Sequence, residues 1–562
     1  MSVSKVTGIE TEYGILIRGA KESNHFLASR MLLQQCGVME FKAIPDSEVA
    51  ASPDIFLTPL YSLMLPNGAR FYIDHAHPEY CTAETMHPRD VVAADKAGEI
   101  IVERCRRLAN ASGTLPEGQE IAIYKNNSDY KGNSYGCHEN YLITASTYEE
   151  LINRQGHLSL RILVPFLVTR NILCGAGKVG YENDNSPTNF QLTQRADFFE
   201  TLFGLQTTYN RPLINTRDES HAENLHFRRL HVIVGDANMS EYSTYLKVGT
   251  TQLVLMMLED NYITLDLTLK EPIVAVKTVS RDLTFGEELP LANGSKASAI
   301  EIQRQFLDLA KKYVEEHNST DEFKEVIQEW EDTLNKLAKN WQMLNQRLDW
   351  AIKRNLLERY LQTQNCSWQS ISKWEPVILK TLFLKRQAVG DDLADLVQVI
   401  QSQLPDRTQL EDLDWKDYWR QREVYFTLRR LDLEYHDIRR GKVEKDMGLF
   451  YQLQNCGAVE RLLNDKEIQH FVDKPPSDTR AYLRGYCISK YFDQIQQVDW
   501  SEIKFYLPEE EQSYYLRLPD LIDGNKAHVE TVLEAQSSPD LLKLLDSLSK
   551  LNFTITTEKK IH

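Results

Sequence analysis

Residues 69–85 read ARFYIDHAHPEYCTAET, and this stretch combines the pattern of a β-strand with a concentration of titratable side chains. Alternation places Phe71 and Ile73 on one face of the strand and Arg70, Tyr72 and Asp74 on the other. More such side chains follow closely, namely His75, His77, Glu79 and Glu84. A solvated sheet face explains the alternation, but it gives no reason for carboxylates, imidazoles and an arginine to gather so tightly. The stretch is therefore predicted to form one wall of a functional site.

The whole chain has the size and composition of a folded protein with more than one unit. It has 562 residues, of which 42% are apolar and 10% aromatic, which is enough to bury a sizeable core. No apolar run approaches the roughly 20 residues that span a bilayer, and the first ten residues lack the apolar stretch of a secretory signal. The eight cysteines include no CxxC pair, so reduced thiols are expected. We therefore expect a cytoplasmic protein with no membrane partner.

The net charge of −17 argues against a nucleic-acid partner, because such proteins neutralise phosphates with basic residues. An anionic ligand must instead meet a local basic patch. Residues 211–231 provide one candidate, with four arginines and three histidines. Taken alone, this stretch is more typical of a solvated loop and strand edge.

The pattern of the chain changes along its length, which predicts its organisation. Residues 6–290 alternate short strand-like runs with helical ones, and residues 297–361 have helical spacing throughout. Residues 362–425 are polar and mostly helical, and they are predicted to be an insertion. After residue 475, Ser477 is predicted to cap a helix that is followed by a hairpin and two short helices. The predicted division is a large domain of residues 1–361 and 426–474, the insertion, and a small C-terminal domain of residues 475–562.

Two acidic residues close to the N-terminus lie on a second candidate strand, TGIETEYGI. Glu10 and Glu12 project from the same face, about 7 Å apart at a rise of roughly 3.3 Å per residue. Such carboxylates either face solvent or are compensated by a hard cation such as Mg²⁺, which takes oxygen ligands. Tyr72, Asp74 and Glu79 add polar groups to a similar face, and this favours metal binding.

Other motifs in the sequence are less informative about function. Residues 124–143 form a loop rich in Asn, Gly and Ser followed by a strand that places His138 and Asn140 on one face. CGAGKVG, residues 174–180, lacks the spacing of a phosphate-binding loop. The HExxH pattern is missing from the sequence, which disfavours metalloproteases of that type.

Six motifs, in order along the chain, resemble the family of the Pup ligase and the Pup deamidase/depupylase, relatives of glutamine synthetase among the carboxylate-amine ligases. They are GIETEYG, LPNGARFYIDHAHPEY, GNSYGCHENYLI, INTRDESHA, RLHVIVGDANMSEYSTYLKVGTT and PPSDTRAYLRG. The resemblance implies an α+β fold: a large domain whose curved antiparallel sheet is packed by helices, plus a small C-terminal domain. It also implies ATP (or ADP) and Mg²⁺ as cofactors, and chemistry at the bond between the C-terminal glutamate of the modifier Pup and a substrate lysine.

The resemblance also implies roles for individual residues. Asp74 matches the catalytic aspartate. Nucleotide contacts are implied for Arg70, Thr82 and Trp500, and positions near the phosphates for Arg217 and Arg229. Glu10, Tyr72 and Glu79 match the magnesium positions of the family. Glu12 of the same strand, and His138 and His231, which lie in family motifs near the phosphates, are further candidate metal ligands. A carboxylate beside a metal ion stays ionised, so it can accept a proton or attack a carbonyl.

The two branches of the family differ in the direction of the reaction. Hydrolysis of the amide or isopeptide bond is favoured by DHAHPEY and by the C-terminal stretch DGNKAHVETVLEA, which resemble the deamidase/depupylase. Ligation through a γ-glutamyl phosphate is favoured by GNSYGCHENYLI and LEYHDIRRG, which resemble the ligase. Residues 38–62 contain at most a short version of the loop typical of the depupylase branch. Hydrolysis is the prediction, and ligation to lysine-bearing proteins, a small-molecule carboxylate-amine ligase and a non-catalytic nucleotide-binding scaffold are alternatives.

Overall fold

The protein is described by a computed structural model over residues 2–38, 44–45, 62–153, 158–183, 185–217, 225–317, 319–371, 415–536 and 539–559. The predicted short depupylase-type loop and most of the predicted insertion lie outside these residues. None of the helices in the described part combines the length and apolar composition that crossing a bilayer requires.

A nine-stranded sheet forms the centre of the fold, and all but one of its strand pairs are antiparallel. The strands of the protein up to residue 232 are β1 (Thr7–Glu12), β2 (Gly14–Arg18), β3 (Ile44–Pro45), β4 (Ser62–Met64), β5 (Arg70–Asp74), β6 (His77–Cys81), β7 (Glu120–Tyr124), β8 (Cys137–Thr144), β9 (Lys178–Val179), β10 (Phe190–Gln191), β11 (Thr201–Gly204), β12 (Pro212–Asn215) and β13 (Phe227–Val232). The large sheet has the order β11-β12-β13-β8-β1-β6-β5-β4-β3, and β11 and β12 are its parallel pair. β1 therefore lies between β6 and β8.

The N-terminal strand-like run divides into two strands at Tyr13. β1 pairs with β6 and β8, whereas β2 leaves the large sheet and pairs with β7. The Tyr13 side chain is fully buried at this break. As a result, Glu10 and Glu12 stay in the large sheet while residues 14–18 form part of a separate two-stranded sheet.

Helices cover the large sheet and build most of the remaining core. In chain order they span His25–Val38, Pro88–Ala111, Ala145–Tyr148, Val164–Thr169, Asn171–Cys174, Glu241–Glu259, Pro272–Arg281, Ala299–Glu316, Asp321–Lys339, Asp349–Thr363, Trp415–Tyr435, Leu449–Asn455, Asp465–Asp473, Ala481–Lys490, Lys526–Glu534 and Leu541–Lys550. Helix Pro88–Ala111 packs so closely on β6 that a Cβ at Gly98 would lie 2.5 Å from the Tyr80 ring. The predicted α+β fold, with an antiparallel sheet packed by helices, is confirmed.

The residues after 475, together with Met64 of β4, form a second small core around a four-stranded sheet. Its strands, in the order β16-β17-β18-β19, span Ile495–Val498, Glu502–Leu507, Gln512–Arg517 and Thr554–Lys559. The predicted hairpin and the two short helices are present, and the last strand was not predicted. A further two-stranded sheet pairs β14 (Glu288–Pro290) with β15 (Lys296–Ser298). In sequence order, these strands follow β13 and precede β16.

The prediction that Ser477 caps the helix is wrong. The helix starts at Ala481, and the residue before it, Arg480, makes no side-chain cap. Residues 477–479 instead contact other segments: the Ser477 carbonyl accepts from the Lys526 backbone N–H, and the Asp478 carboxylate accepts from Thr85. These tertiary contacts keep the chain out of a helical conformation until residue 481.

Candidate functional site

One face of the large sheet opens into a cavity of about 310 Å³, here called the main cavity. Strands β1, β5, β6, β8 and β13 contribute side chains to it, and the C-terminal residues contribute Arg480, Trp500 and Leu521. Of the twelve predicted site residues, Glu12 is the one that does not line it; the other eleven are Glu10, Arg70, Tyr72, Asp74, Glu79, Thr82, His138, Arg217, Arg229, His231 and Trp500. The structure thus brings together residues from distant parts of the chain.

Strand register explains why these side chains meet. Glu10 of β1 is opposite His138 of β8, and Glu12 of β1 is opposite Glu79 of β6. Glu79 is in turn opposite Tyr72 of β5. Residues directly opposite each other on neighbouring strands point to the same face of the sheet. Polar groups therefore form two rows across the sheet: one row contains Glu10 and His138, and the other contains Glu12, Glu79 and Tyr72.

The first group, the imidazole cluster, consists of Glu10, His138 and His231. The Glu10 carboxylate lies 3.3 Å from His138 Nδ1 and 3.7 Å from His231 Nε2, and it accepts a 2.8 Å hydrogen bond from Asn140. Although burial opposes ionisation, the hydrogen bond with His138 and the charge of Arg229 hold the pKa of Glu10 well below its usual range. Burial lowers the pKa of His231 well below its usual range, so this imidazole is neutral.

The imidazole cluster has the donor set of a divalent-cation site. Neither ring nitrogen of the buried His231 has a hydrogen-bond partner among the described residues. A neutral imidazole next to an ionised carboxylate is a usual ligand pair for a divalent metal. Imidazole donors suit a softer cation better than Mg²⁺, which prefers oxygen.

The second group, the acidic cluster, consists of Glu12, Asp74 and Glu79, whose oxygen atoms lie within 4.8 Å of one another. Burial and the nearby carboxylates Glu12, Glu10 and Asp74 raise the pKa of Glu79 well above its usual range. A divalent cation would offset the repulsion between these carboxylates, and carboxylate oxygens are the ligands that Mg²⁺ prefers. Glu10 and Glu12, which the sequence placed on one metal-binding face, thus belong to two adjoining clusters.

Tyr72 of β5 lines the main cavity directly opposite Glu79 of the acidic cluster. Burial and the Glu79 carboxylate raise the pKa of Tyr72 well above its usual range, so its phenol is neutral. The Arg70 guanidinium stacks over the Tyr72 ring at 4.3 Å. In this state Tyr72 is a hydrogen-bonding neighbour of Glu79 rather than an anionic ligand.

Asp74 ends β5 at a two-residue hairpin turn formed by His75 and Ala76. Both turn residues have positive φ angles, 45° and 75°, as a type I′ turn requires. The Asp74 carboxylate is 36% exposed and lies 2.8 Å from His75 Nδ1. Asp74 therefore combines access to the main cavity with membership of the acidic cluster, which suits a residue that accepts a proton or attacks a carbonyl.

Other residues that line the main cavity suit a nucleotide. Trp500 offers an aromatic surface, and the Arg484 guanidinium lies 5.0 Å from its ring centre. Thr82 accepts a 3.0 Å hydrogen bond from the backbone N–H of Ile9. Arg217 and Arg229 supply positive charge at the cavity, close to the imidazole cluster.

Four further residues of this region were given no site role from the sequence: Asn140, Glu84, Arg480 and Arg484. Asn140 lies two residues after His138 on the same face of β8, and it donates a hydrogen bond to Glu10. The strand periodicity could therefore have predicted that Asn140 belongs to the site. Glu84 binds Arg480 and Arg484, which come from the C-terminal part of the chain. A contact across about 400 positions leaves no local pattern, and no motif in the sequence could have revealed it.

Comparisons with known proteins agree on one family. The model of the family described as Pup-ligase protein matches residues 5–383 and 391–504. The depupylase of Acidothermus cellulolyticus is 36% identical over 96% of this chain and 99% of its own length. The Pup--protein ligase of Corynebacterium diphtheriae is 35% identical over 90% of each chain.

Two solved structures are similar to this chain over most of its length. The complex between the prokaryotic ubiquitin-like protein Pup and its ligase PafA matches with a TM-score of 0.70 and 29% identity, over 98% of this chain and 95% of that chain. The ligase PafA in complex with ADP matches with a TM-score of 0.65 and 30% identity, over 85% of this chain and 90% of that chain.

Proposed function

The chain belongs to the Pup-ligase protein family, and from that premise we propose that it is an enzyme that hydrolyses the amide or isopeptide bond at the C-terminal Gln or Glu of a Pup-like modifier. Its partners are then this modifier and the lysine-bearing proteins to which the modifier is attached. The observation that carries the proposal is the position of Asp74, which belongs to the acidic cluster and also lines the main cavity.

The proposed cofactors are ATP or ADP and Mg²⁺. The nucleotide is proposed to lie against Trp500, Thr82 and Arg70, and the acidic cluster is proposed to hold Mg²⁺. Mg²⁺, when bound, would supply positive charge that polarises the scissile carbonyl and offsets the charge of the nucleotide phosphates. The imidazole cluster is proposed as a second cation position.

The residues of the chain then have separable tasks. Asp74 either takes a proton from the attacking water or attacks the carbonyl carbon itself. Arg217 and Arg229 bind anionic oxygens on the nucleotide side of the main cavity. Glu10 stays ionised next to Arg229, His138 and His231, so it orients these groups.

Hydrolysis is proposed as the direction because the alignment with the Acidothermus depupylase extends over nearly the full length of both chains. Ligation of the modifier to lysine is the second candidate. It is favoured by the similarity to the Corynebacterium ligase, which also extends over most of both chains.

One assay distinguishes these directions. The full-length protein with Mg²⁺ and ATP is offered a Pup-like modifier ending in Gln, one ending in Glu together with a lysine-bearing protein, and a preformed conjugate, and the products are followed by mass spectrometry. Hydrolysis predicts ammonia release from the first substrate and cleavage of the third. A new conjugate from the second substrate alone would refute the proposed direction and support ligation.

A further inference from the structure

Asn140 of β8 lies between the Glu10 carboxylate and the Arg229 guanidinium, and all three side chains line the main cavity. The Asn140 Nδ2 donates a 2.8 Å hydrogen bond to Glu10 Oε1, and its Oδ1 accepts a 3.0 Å hydrogen bond from Arg229 Nη1. The opposite orientation of the amide would place its oxygen against the carboxylate and its NH₂ group against the guanidinium. The two charged neighbours therefore fix which end of the Asn140 amide faces which strand.

Strand register places these three side chains on one face of the large sheet. β8 lies between β1 and β13, and Asn140 is directly opposite Gly8 of β1 and His231 of β13. Glu10 lies two residues after Gly8, and Arg229 lies two residues before His231, so both are diagonal neighbours of Asn140 on the same face. Because Gly8 has no side chain, the Asn140 amide can extend across to Glu10.

The direct contact between Arg229 and Glu10 is long for a partly buried ion pair. Arg229 Nη1 lies 3.4 Å from Glu10 Oε1, and the two side chains are 15% and 18% exposed. Arg170 and Glu139, by contrast, form two parallel hydrogen bonds of 2.8 and 2.7 Å, the geometry of a strong bidentate pair. Arg229 Nε has no hydrogen-bond partner among the described residues. The Arg229 guanidinium therefore keeps donor groups for a further acceptor.

We propose that Asn140 is a positioning residue that holds Arg229 out of a bidentate pair with Glu10 and directs its guanidinium to the phosphates of the bound nucleotide, an inference that rests on the proposed function. A neutral amide suits this task, because it donates to the carboxylate and accepts from the guanidinium without neutralising either charge. Glu10 keeps its negative charge for the cation proposed at the imidazole cluster, and Arg229 keeps its positive charge for the nucleotide.

Two substitutions at Asn140 separate this role from packing. Asn140→Ala removes the spacer, so Arg229 can form a bidentate pair with Glu10. Asn140→Asp keeps the size of the side chain but puts a carboxylate against Arg229, which is then paired within the protein. In both variants the guanidinium no longer serves the phosphates, while the proposed contact between the nucleotide and Trp500 is unchanged.

The ratio of the affinities for ADP and adenosine tests the inference, because these two ligands differ in the phosphates alone. It is measured by calorimetry with the full-length protein at saturating Mg²⁺. We expect Asn140→Ala and Asn140→Asp to lower this ratio by about 5- to 20-fold through weaker binding of ADP, with the affinity for adenosine unchanged. Arg229→Gln should lower the ratio by at least as much. The double variant Asn140→Ala/Arg229→Gln should lower it no further than Arg229→Gln alone, because Asn140 acts through Arg229.

The matched control is Asn110→Ala, because Asn110 also uses both ends of its amide. Its Nδ2 donates to the Ile121 carbonyl at 3.1 Å, and its Oδ1 accepts from the Ile121 backbone N–H at 2.8 Å. Asn110 lies on helix Pro88–Ala111, outside the described residues that line the main cavity, so this variant should keep the wild-type ratio.

The outcomes distinguish the inference from the proposed function. An unchanged ratio in Asn140→Ala and Asn140→Asp would overturn the inference, as would a loss in the double variant equal to the product of the two single losses. Failure of the wild type to bind ADP would overturn both the inference and the proposed cofactor. The expected ratios without hydrolysis of the modifier would support the role of Asn140 and contradict the proposed reaction alone.

Discussion

Replacement of Glu84 by Gln is expected to loosen the attachment of the C-terminal residues to the large sheet. Glu84 follows β6, and its carboxylate binds Arg480 Nε at 2.9 Å and Arg484 Nη1 at 3.0 Å. The side chains of Arg480 and Arg484 are 2% and 0% exposed. Arg484 also donates to the backbone carbonyl of Trp500. The substitution therefore leaves two buried guanidinium groups without their carboxylate.

The expected loss of stability in Glu84→Gln can be worked out from the interaction of the Glu84 carboxylate with Arg480 and Arg484. Although burial opposes ionisation, Arg484 and Arg480 lower the pKa of Glu84 to about 2. Compared with the ordinary value of 4.5, this corresponds to roughly 3 kcal/mol of preference for the ionised form in the folded protein. Removal of one partner from a buried ion pair costs about 3–5 kcal/mol. We expect Glu84→Gln to lower the free energy of unfolding by a similar amount.

Denaturant unfolding followed by tryptophan fluorescence measures this loss, with Glu502→Gln as the matched control. Glu502 lies 3.1 Å from Arg517 at the surface, where such pairs contribute about 0–1 kcal/mol. Because the pKa of Glu84 is lowered on folding, its contribution is full above pH 4.5 and is lost as the pH falls toward 2. Equal stability of the two variants at neutral pH would refute this account of the ion cluster.

Three further predictions concern the site and its surroundings. Asp74→Asn should abolish turnover and leave the affinity for nucleotide nearly unchanged in a titration; full activity would remove Asp74 from the mechanism. Saturating Mg²⁺ should stabilise the wild type in thermal unfolding, by about 2.7 kcal/mol at one hundred times its Kd, and should stabilise Glu79→Gln much less; equal gains would exclude Glu79 as a ligand. The hydrogen bond to Glu322 raises the pKa of the half-exposed His87 to about 9. Below pH 6.5 the free energy of unfolding of the wild type should therefore exceed that of His87→Ala by less than about 1 kcal/mol. Urea unfolding should show that this difference disappears as the pH rises through about 9.

Much of the site could be predicted because it is built from short antiparallel strands. Alternation in residues 70–74 correctly separated buried Phe71 from the polar residues Tyr72 and Asp74. The same periodicity placed His138 and Asn140 on one face, and both now contact Glu10. These features depend on local geometry, which a single segment of sequence contains.

Features that depend on strand pairing or on distant contacts could not be predicted. The run from Thr7 to Arg18 has one continuous strand pattern, and its division at Tyr13 follows from pairing with two different sheets. The start of the helix at Ala481 is set by contacts of Asp478 with the segment around Thr85. The roles of residues 362–425 and the division into three domains stay predictions, since most of that segment lies outside the described residues.

The main cavity also fixes when, during synthesis, the protein can first hold its nucleotide as proposed. Its acidic and imidazole clusters come from the first 231 positions, whereas Trp500 completes the wall from far downstream. The 426 positions between Asp74 and Trp500 take about 20 to 85 s to translate at roughly 5–20 residues per second. During that interval the nascent chain carries its proposed reactive carboxylate without the Trp500 side of the binding wall.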